Sequence, residues 1–291
     1  MAPIKVKQNK IFVHIYSYKE RNLLEFVQNI LDSSSKTNII DIYITDQNNL
    51  TRLRQFVPYQ NVYYDVVWWD DFISPNVYIQ TVINHNRHKE YDYGLLLKQQ
   101  FDFKENWDQD LINTLPENSV FSGQGKFKLS IDKNFYIKKE KRISREIVDT
   151  GFIDRNFIFG KFSDITNVIF PYELKYYGDE EYLSIQFLNN GVSVYALPTD
   201  HYTVLSKPIH ERGYIPFSLN HNYNELIMLL KENKTTRLPY RDPSKFLDIL
   251  GLDLSQLYKL PFDFNDIEYD RASSLDLTGG KRYIERLNSV S

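Results

Sequence analysis

The sequence predicts an α/β protein built on a mostly parallel sheet flanked by helices. Up to Asp46 the chain reads as strand, helix, strand, the order that a right-handed crossover in a parallel sheet requires. The run Tyr93-Gly94-Leu95-Leu96-Leu97 is short and apolar and ends abruptly in Lys98, Gln99, Gln100 and Asp102. Such runs mark central strands covered on both faces. The composition, 42% hydrophobic and 25% charged over 291 residues, is that of a globular chain long enough for a sizeable core.

The elements follow in order. Lys10 opens a strand through Ile11-Phe12-Val13-His14-Ile15-Tyr16, and Ser17 to Asn22 reads as a loop. Leu23, Leu24, Phe26, Val27, Ile30 and Leu31 recur at helical spacing. Ile39 to Ile44 is a second strand ending at Thr45-Asp46, and Val62 to Trp68 a third. Between them Leu50 to Phe56 reads as a short helix. Pro75 starts a helix reaching about His88, and Trp107 to Leu115 is another. Ser119 to Ser122 and Phe157 to Gly160 are strands, and Ser163 is placed to cap a helix over Asp164 to Ile169. Tyr182 to Leu188 is a helix closed by Asn189-Asn190-Gly191, and Val192 to Ala196 is the last strand. Residues 1–208 read as one domain. Residues 209–291, with helices near 223–231 and 243–250, read as a helical appendage.

Composition limits the function classes. There are no cysteines, hence no disulfide framework and no Cys-based zinc site. No apolar run is long enough to span a membrane, and the first ten residues carry no signal-peptide core. The expectation is a cytoplasmic protein. The bias to Tyr, Asn, Lys and Ile suits an AT-rich genome, such as that of a phage, in which case the compartment is the host cytoplasm. The oligomeric state is open. Formal net charge is −3, yet Lys126, Lys128, Lys133, Lys138, Lys139, Lys141, Arg142 and Arg145 crowd one stretch against only Asp132 and Glu140. That stretch reads either as a solvated charged loop or as a phosphate-backbone contact, with Phe127, Phe135 and Tyr136 interleaved.

Two polar clusters stand out, Lys98 to Asp102 after the central strand and Gly178-Asp179-Glu180-Glu181 opening a helix. Ligands of open α/β sheets bind beyond the carboxyl ends of the strands, so both are expected to line one pocket. The ordered set Ser17-Tyr18-Lys19-Glu20, Lys98-Gln99-Gln100, Asn106-Trp107-Asp108, Gly178-Asp179-Glu180 and Gly191 resembles the retaining GT-A-fold glycosyltransferases that place N-acetylglucosamine on polypeptide hydroxyls. The match runs roughly from Ile11 to Leu205.

The resemblance implies a GT-A-like nucleotide-sugar-binding sheet and a nucleotide-sugar donor, a UDP-sugar. It puts Ser17, Tyr18, Lys19 and Asp46 at the nucleotide, Lys98, Gln99, Gln100 and Arg155 near the diphosphate, and Asp179, Glu180 and Glu181 at the transferred sugar. A carboxylate there stabilises the oxocarbenium-like state of retaining transfer. Each has a plainer reading: a solvated lysine, a strand-exit aspartate, acids favourable to a helix dipole.

The family's Asp-x-His, which holds a divalent cation, is replaced here by Lys98-Gln99-Gln100, and these cannot supply hard carboxylate ligands. Either no Mn2+ or Mg2+ is used, and Lys98 with Lys19 or Arg155 neutralises the diphosphate, or a metal is held by Asp102 with Asp179 or His201. For the acceptor, the basic residues Lys126, Lys128, Lys138, Lys139, Lys141 and Arg142 favour double-stranded DNA carrying a hydroxymethylated base, such as 5-hydroxymethylcytosine in a phage genome. The alternatives are a protein hydroxyl and a catalytically inactive binding or assembly protein.

Overall fold

The computed structural model describes residues 8–18, 22–47, 56, 58–66, 75–98, 101–124, 126–131, 137–142, 146–170, 179–197 and 202–204. The expected appendage over 209–291 lies outside them, as do Trp68, Trp69 and nearly all of the helix expected before Phe56.

The chain opens with β1 (Lys10–Tyr18), α1 (Leu23–Asp32), β2 (Ile39–Gln47), β3 (Val62–Val66), α2 (Pro75–Asn86) and β4 (Tyr93–Leu97). It continues through β5 (Phe101–Phe103), α3 (Trp107–Thr114), β6 (Ser119–Gln124), β7 (Lys126–Ile131), β8 (Ile137–Arg142), β9 (Val148–Asp149) and β10 (Phe157–Lys161). Last come α4 (Phe162–Thr166), α5 (Asp179–Asn189), β11 (Ser193–Leu197) and β12 (Tyr202–Val204). An eight-stranded sheet has the order β3-β2-β1-β4-β10-β6-β11-β9.

Pairing from β3 through β4 is parallel, as is β6 with β11. Strand β10 is antiparallel to both β4 and β6 and so joins two parallel blocks. The expected mixed α/β architecture with a large central sheet is therefore the observed one.

Strand alternation sorts the core into two layers. Ile11, Val13, Ile15, Ile42, Leu95 and Leu97 pack with Leu23, Phe26, Val27 and Ile30 of α1. Phe12, Tyr43 and Leu96 pack on the opposite face with Ile79 and Ile83 of α2, Phe162 and Ile165 of α4, and Leu183 and Phe187 of α5. Burying each such side chain contributes about 1.5–3 kcal/mol. Gly94 lets β4 pass under α4: a Cβ there would lie 2.8 Å from Ile165 Cδ1.

Several boundaries differ from the sequence reading. Ser17 and Tyr18 belong to β1 and not to a loop, because the parallel ladder runs on to Ser17 opposite Asp46 and Tyr18 opposite Gln47. Helix α4 starts at Phe162, with Lys161 at the N-cap position, so Ser163 is not the cap. Phe162 takes the first helical position because its ring packs 5.0 Å from Phe12 and 5.2 Å from Tyr91. Helix α5 begins at Asp179, its first turn filled by three acids that suit the helix dipole. Strand β11 is not the last: β12 follows and pairs with the short β5. That pairing joins segments remote in sequence, which no local pattern announces. The basic stretch contains a two-stranded antiparallel sheet, β7 with β8.

Candidate active site

The carboxyl end of β4 delivers Lys98, whose side chain is only 6% exposed. Its ammonium donates to Asn76 Oδ1 at 3.1 Å and lies 3.8 Å from Asp179 Oδ2. Asn76 comes from the first turn of α2 and donates its own amide to Asp179 Oδ2 at 3.3 Å. Arg155, in the loop before β10, donates Nη1 to both oxygens of Asp179, at 3.1 and 2.9 Å. One buried carboxylate thus sits between two cations and an amide. Burial lowers the Lys98 pKa to about 8; Asp179 works against that shift, and the Arg155 charge adds to it.

The neighbouring acids behave differently. Glu180 is half-buried, and its Oε1 accepts the Arg155 backbone N–H at 3.3 Å. Glu181 is buried, 3% exposed. The Arg155 loop is tied to the sheet at both ends. Ser122 Oγ donates to the Asp154 carbonyl at 3.1 Å and accepts the Asp154 N–H at 2.7 Å, and the Lys98 N–H donates to the Asn156 carbonyl at 3.1 Å.

A second carboxylate lies at the ends of the neighbouring strands. Asp46 is fully buried. It accepts Ser17 Oγ at 3.0 Å and Tyr64 Oη at 2.7 Å, one on each oxygen. His14 lies on the same face of β1 as Phe12, the face opposite to that of Ser17 and Asp46. Its Nε2 is 3.1 Å from Thr45 Oγ1. Complete burial, with the Lys98 charge adding to it, pushes its pKa down to about 3, so the ring is neutral at pH 7.

Of the residues singled out in the sequence, Lys98, Arg155, Asp179 and Glu180 converge, and Ser17 meets Asp46. Asp102 is elsewhere: it is exposed on β5 and accepts Asn29 Nδ2 of α1 at 3.1 Å. Lys19, Gln99, Gln100 and His201 lie outside the described residues, as do the side chains of Tyr18, Lys126, Lys128, Lys138, Lys139, Lys141 and Arg142. Asn76 and Tyr64 were not singled out, although both carried a signal. Asn76, Ile79 and Ile83 share the buried stripe of α2 at i, i+3 and i+7. Tyr64 alternates with the exposed Tyr63 along β3.

The donor set at the end of β4 does not fit a divalent cation. Asp179, the carboxylate that reaches it, is already compensated by Lys98 and Arg155, which would repel a metal. Among the described residues no group of three His, Asp or Glu side chains is arranged to hold one. Of the two cations Arg155 keeps the more solvent exposure, 22% against 6% for Lys98.

No protein-family model and no curated protein matches the sequence. Solved structures do match the fold. Staphylococcus aureus TarS is similar over 90% of this chain, at 13% identity and a TM-score of 0.56, and the chain spans 46% of that structure. GalNAc-T7 with UDP, GalNAc and Mn2+ is similar at 12% identity and a TM-score of 0.53, over 91% of this chain and 58% of that one. TarS residues 1–349 in complex with UDP give 12% identity and a TM-score of 0.53, over 91% of this chain and 78% of that one. The shared feature is the GT-A glycosyltransferase fold, a large sheet flanked by helices.

Proposed function

We propose that this chain transfers a sugar from a UDP-sugar to an acceptor hydroxyl. The observation that carries the reading is the ion-paired group Lys98–Asp179–Arg155 at the carboxyl end of the central strand, with Asp46 two strands away in the same sheet. In a fold whose solved examples include UDP complexes, these two places suit a diphosphate and a nucleoside. Asp46 is the acceptor assigned to the N–H of a base or the hydroxyls of a ribose. Arg155 and Lys98 offset the charge that grows on the departing diphosphate.

In the transfer the acceptor hydroxyl's oxygen bonds to the anomeric carbon, the bond from that carbon to the diphosphate oxygen breaks, the hydroxyl's proton passes to the departing diphosphate, and UDP leaves. Glu180 stands at the first turn of α5 to stabilise positive charge on the sugar ring. The stereochemistry is retaining, as the sequence resemblance implies. The acceptor is a hydroxymethylated base in double-stranded DNA, a reading that rests on the basic stretch from Lys126 to Arg142.

A second reading is an inactive nucleotide-binding or assembly protein. The burial and ion pairing of Lys98, at the place where the resembled family has its Asp-x-His, favour it. UDP release decides between the two. Melting temperature with and without UDP-sugars and Mn2+ should rise with the nucleotide sugar alone; saturation at 100-fold above Kd contributes about 2.7 kcal/mol. Slow UDP release should persist in EDTA and be lost in Lys98→Ala. No nucleotide-dependent shift would remove the donor reading. Release that collapses in EDTA and returns with Mn2+ would replace the Lys98 role by a metal.

A further inference from the structure

The ribbon formed by β7 and β8 is not part of the main sheet. It leaves from the end of β6, with Gly125 alone between the two strands. Its root is anchored to the site. Ser122 and Asp154 are joined by two hydrogen bonds, and Asp154 directly precedes Arg155. Gly123 has φ +59°, and a Cβ there would fall 2.5 Å from Asp154 Cβ. The root of the ribbon therefore lies beside the loop that carries Arg155.

The register sorts its residues. Lys126 lies opposite Arg142, Lys128 opposite Glu140 and Ser130 opposite Lys138. In an antiparallel pair directly opposed residues share a face, and alternate residues share it along the strand. One face thus collects the positions of Lys126, Lys128, Lys138 and Arg142 against the single acid Glu140. The other takes Phe127, Leu129, Ile131 and Ile137, with Lys139 and Lys141. Positions two apart on one strand are separated by about 6.7 Å, so the cations form a repeating array. A two-stranded ribbon also matches the width of a major groove.

We propose that this ribbon is a clamp for duplex DNA, and that the face holding the positions of Lys126, Lys128, Lys138 and Arg142 is the one that takes the phosphates. The inference deepens the acceptor part of the proposed function and rests on it. Two variants test it. One replaces Lys126, Lys128, Lys138 and Arg142 with Gln; the other replaces Lys139 and Lys141 with Gln.

The dependence of duplex DNA affinity on salt is measured for both, with UDP-sugar hydrolysis as the control for fold and donor site. Each neutralised phosphate contributes about 0.9 to the log–log slope. The first variant should therefore lose a slope of about 3.6 and more than 100-fold in affinity at low salt, and the second less than threefold. Equal losses per charge removed, or a larger loss from the second variant, would overturn the assignment of faces. Wild type that binds an acidic peptide but no duplex would overturn the clamp while leaving the donor reading intact. Loss of UDP-sugar hydrolysis in wild type would instead strike the donor reading.

Discussion

Asp46 and Asp179 are both buried carboxylates at strand or helix ends on the carboxyl edge of one sheet, and they are neutralised in opposite ways. Asp46 is held by hydroxyls from Ser17 and Tyr64. Asp179 is held by two cations, with Asn76 between it and Lys98. The difference is one of partner: one carboxylate is bound by neutral hydroxyls and the other by two cations, on opposite faces of the same sheet.

Neutralising each acid breaks the comparison most sharply. Asp179→Asn leaves two buried cations without their carboxylate and should cost about 3–5 kcal/mol of stability, read as the denaturation midpoint. Asp46→Asn, whose amide oxygen still accepts a hydroxyl, should cost about 1–2 kcal/mol. Equal losses would mean that the two sites are not held differently. Next in size is Glu180→Gln, one residue beyond Asp179. It should lower transfer by about 10²–10³-fold with little change in melting temperature, whereas wild-type turnover would move the catalytic role elsewhere.

The pH response of His14 is smaller. Its folded pKa of about 3 is below the ordinary 6.5, so the unfolded chain binds more protons between those values. Stability is complete above pH 6.5 and falls as pH drops. At pH 5 the loss is 1.5 units at about 1.36 kcal/mol each, or about 2 kcal/mol. In His14→Gln the unfolding free energy should be flatter by that amount between pH 6.5 and 5. The smallest effect is expected of Tyr64→Phe, which removes one hydroxyl from Asp46. It should cost about 1 kcal/mol and weaken UDP binding severalfold by calorimetry, with no effect on the Lys98–Asp179 pair.

The parts of the fold that were legible are those fixed by local pattern. The apolar period of Leu23 to Leu31 dictates α1, and the run Tyr93–Leu97 dictates β4. The convergence of Lys98 with Asp179 followed from the rule that ligand sites gather beyond the carboxyl ends of strands. Strand direction was not legible in the same way. Phe157–Lys161 reads as a buried strand whichever way it runs, and only its pairing with β4 and β6 makes it antiparallel. Asn76 and Tyr64 escaped notice because a polar residue in a first helical turn, or a tyrosine on a short strand, ordinarily faces water. Their roles depend on partners more than a dozen residues away.

The position of β10 also sets an order of events during synthesis. Residues 10–97 can form β1 through β4 as soon as they leave the ribosome, but the far edge of β4 then carries unpaired N–H and C=O groups. That edge stays open until residues 157–161 emerge, some sixty residues later. Open hydrophobic edges recruit other chains, so a nascent or truncated chain ending before β10 is a template for aggregation. The antiparallel strand that joins the two parallel blocks is also the stopper that closes this hazard.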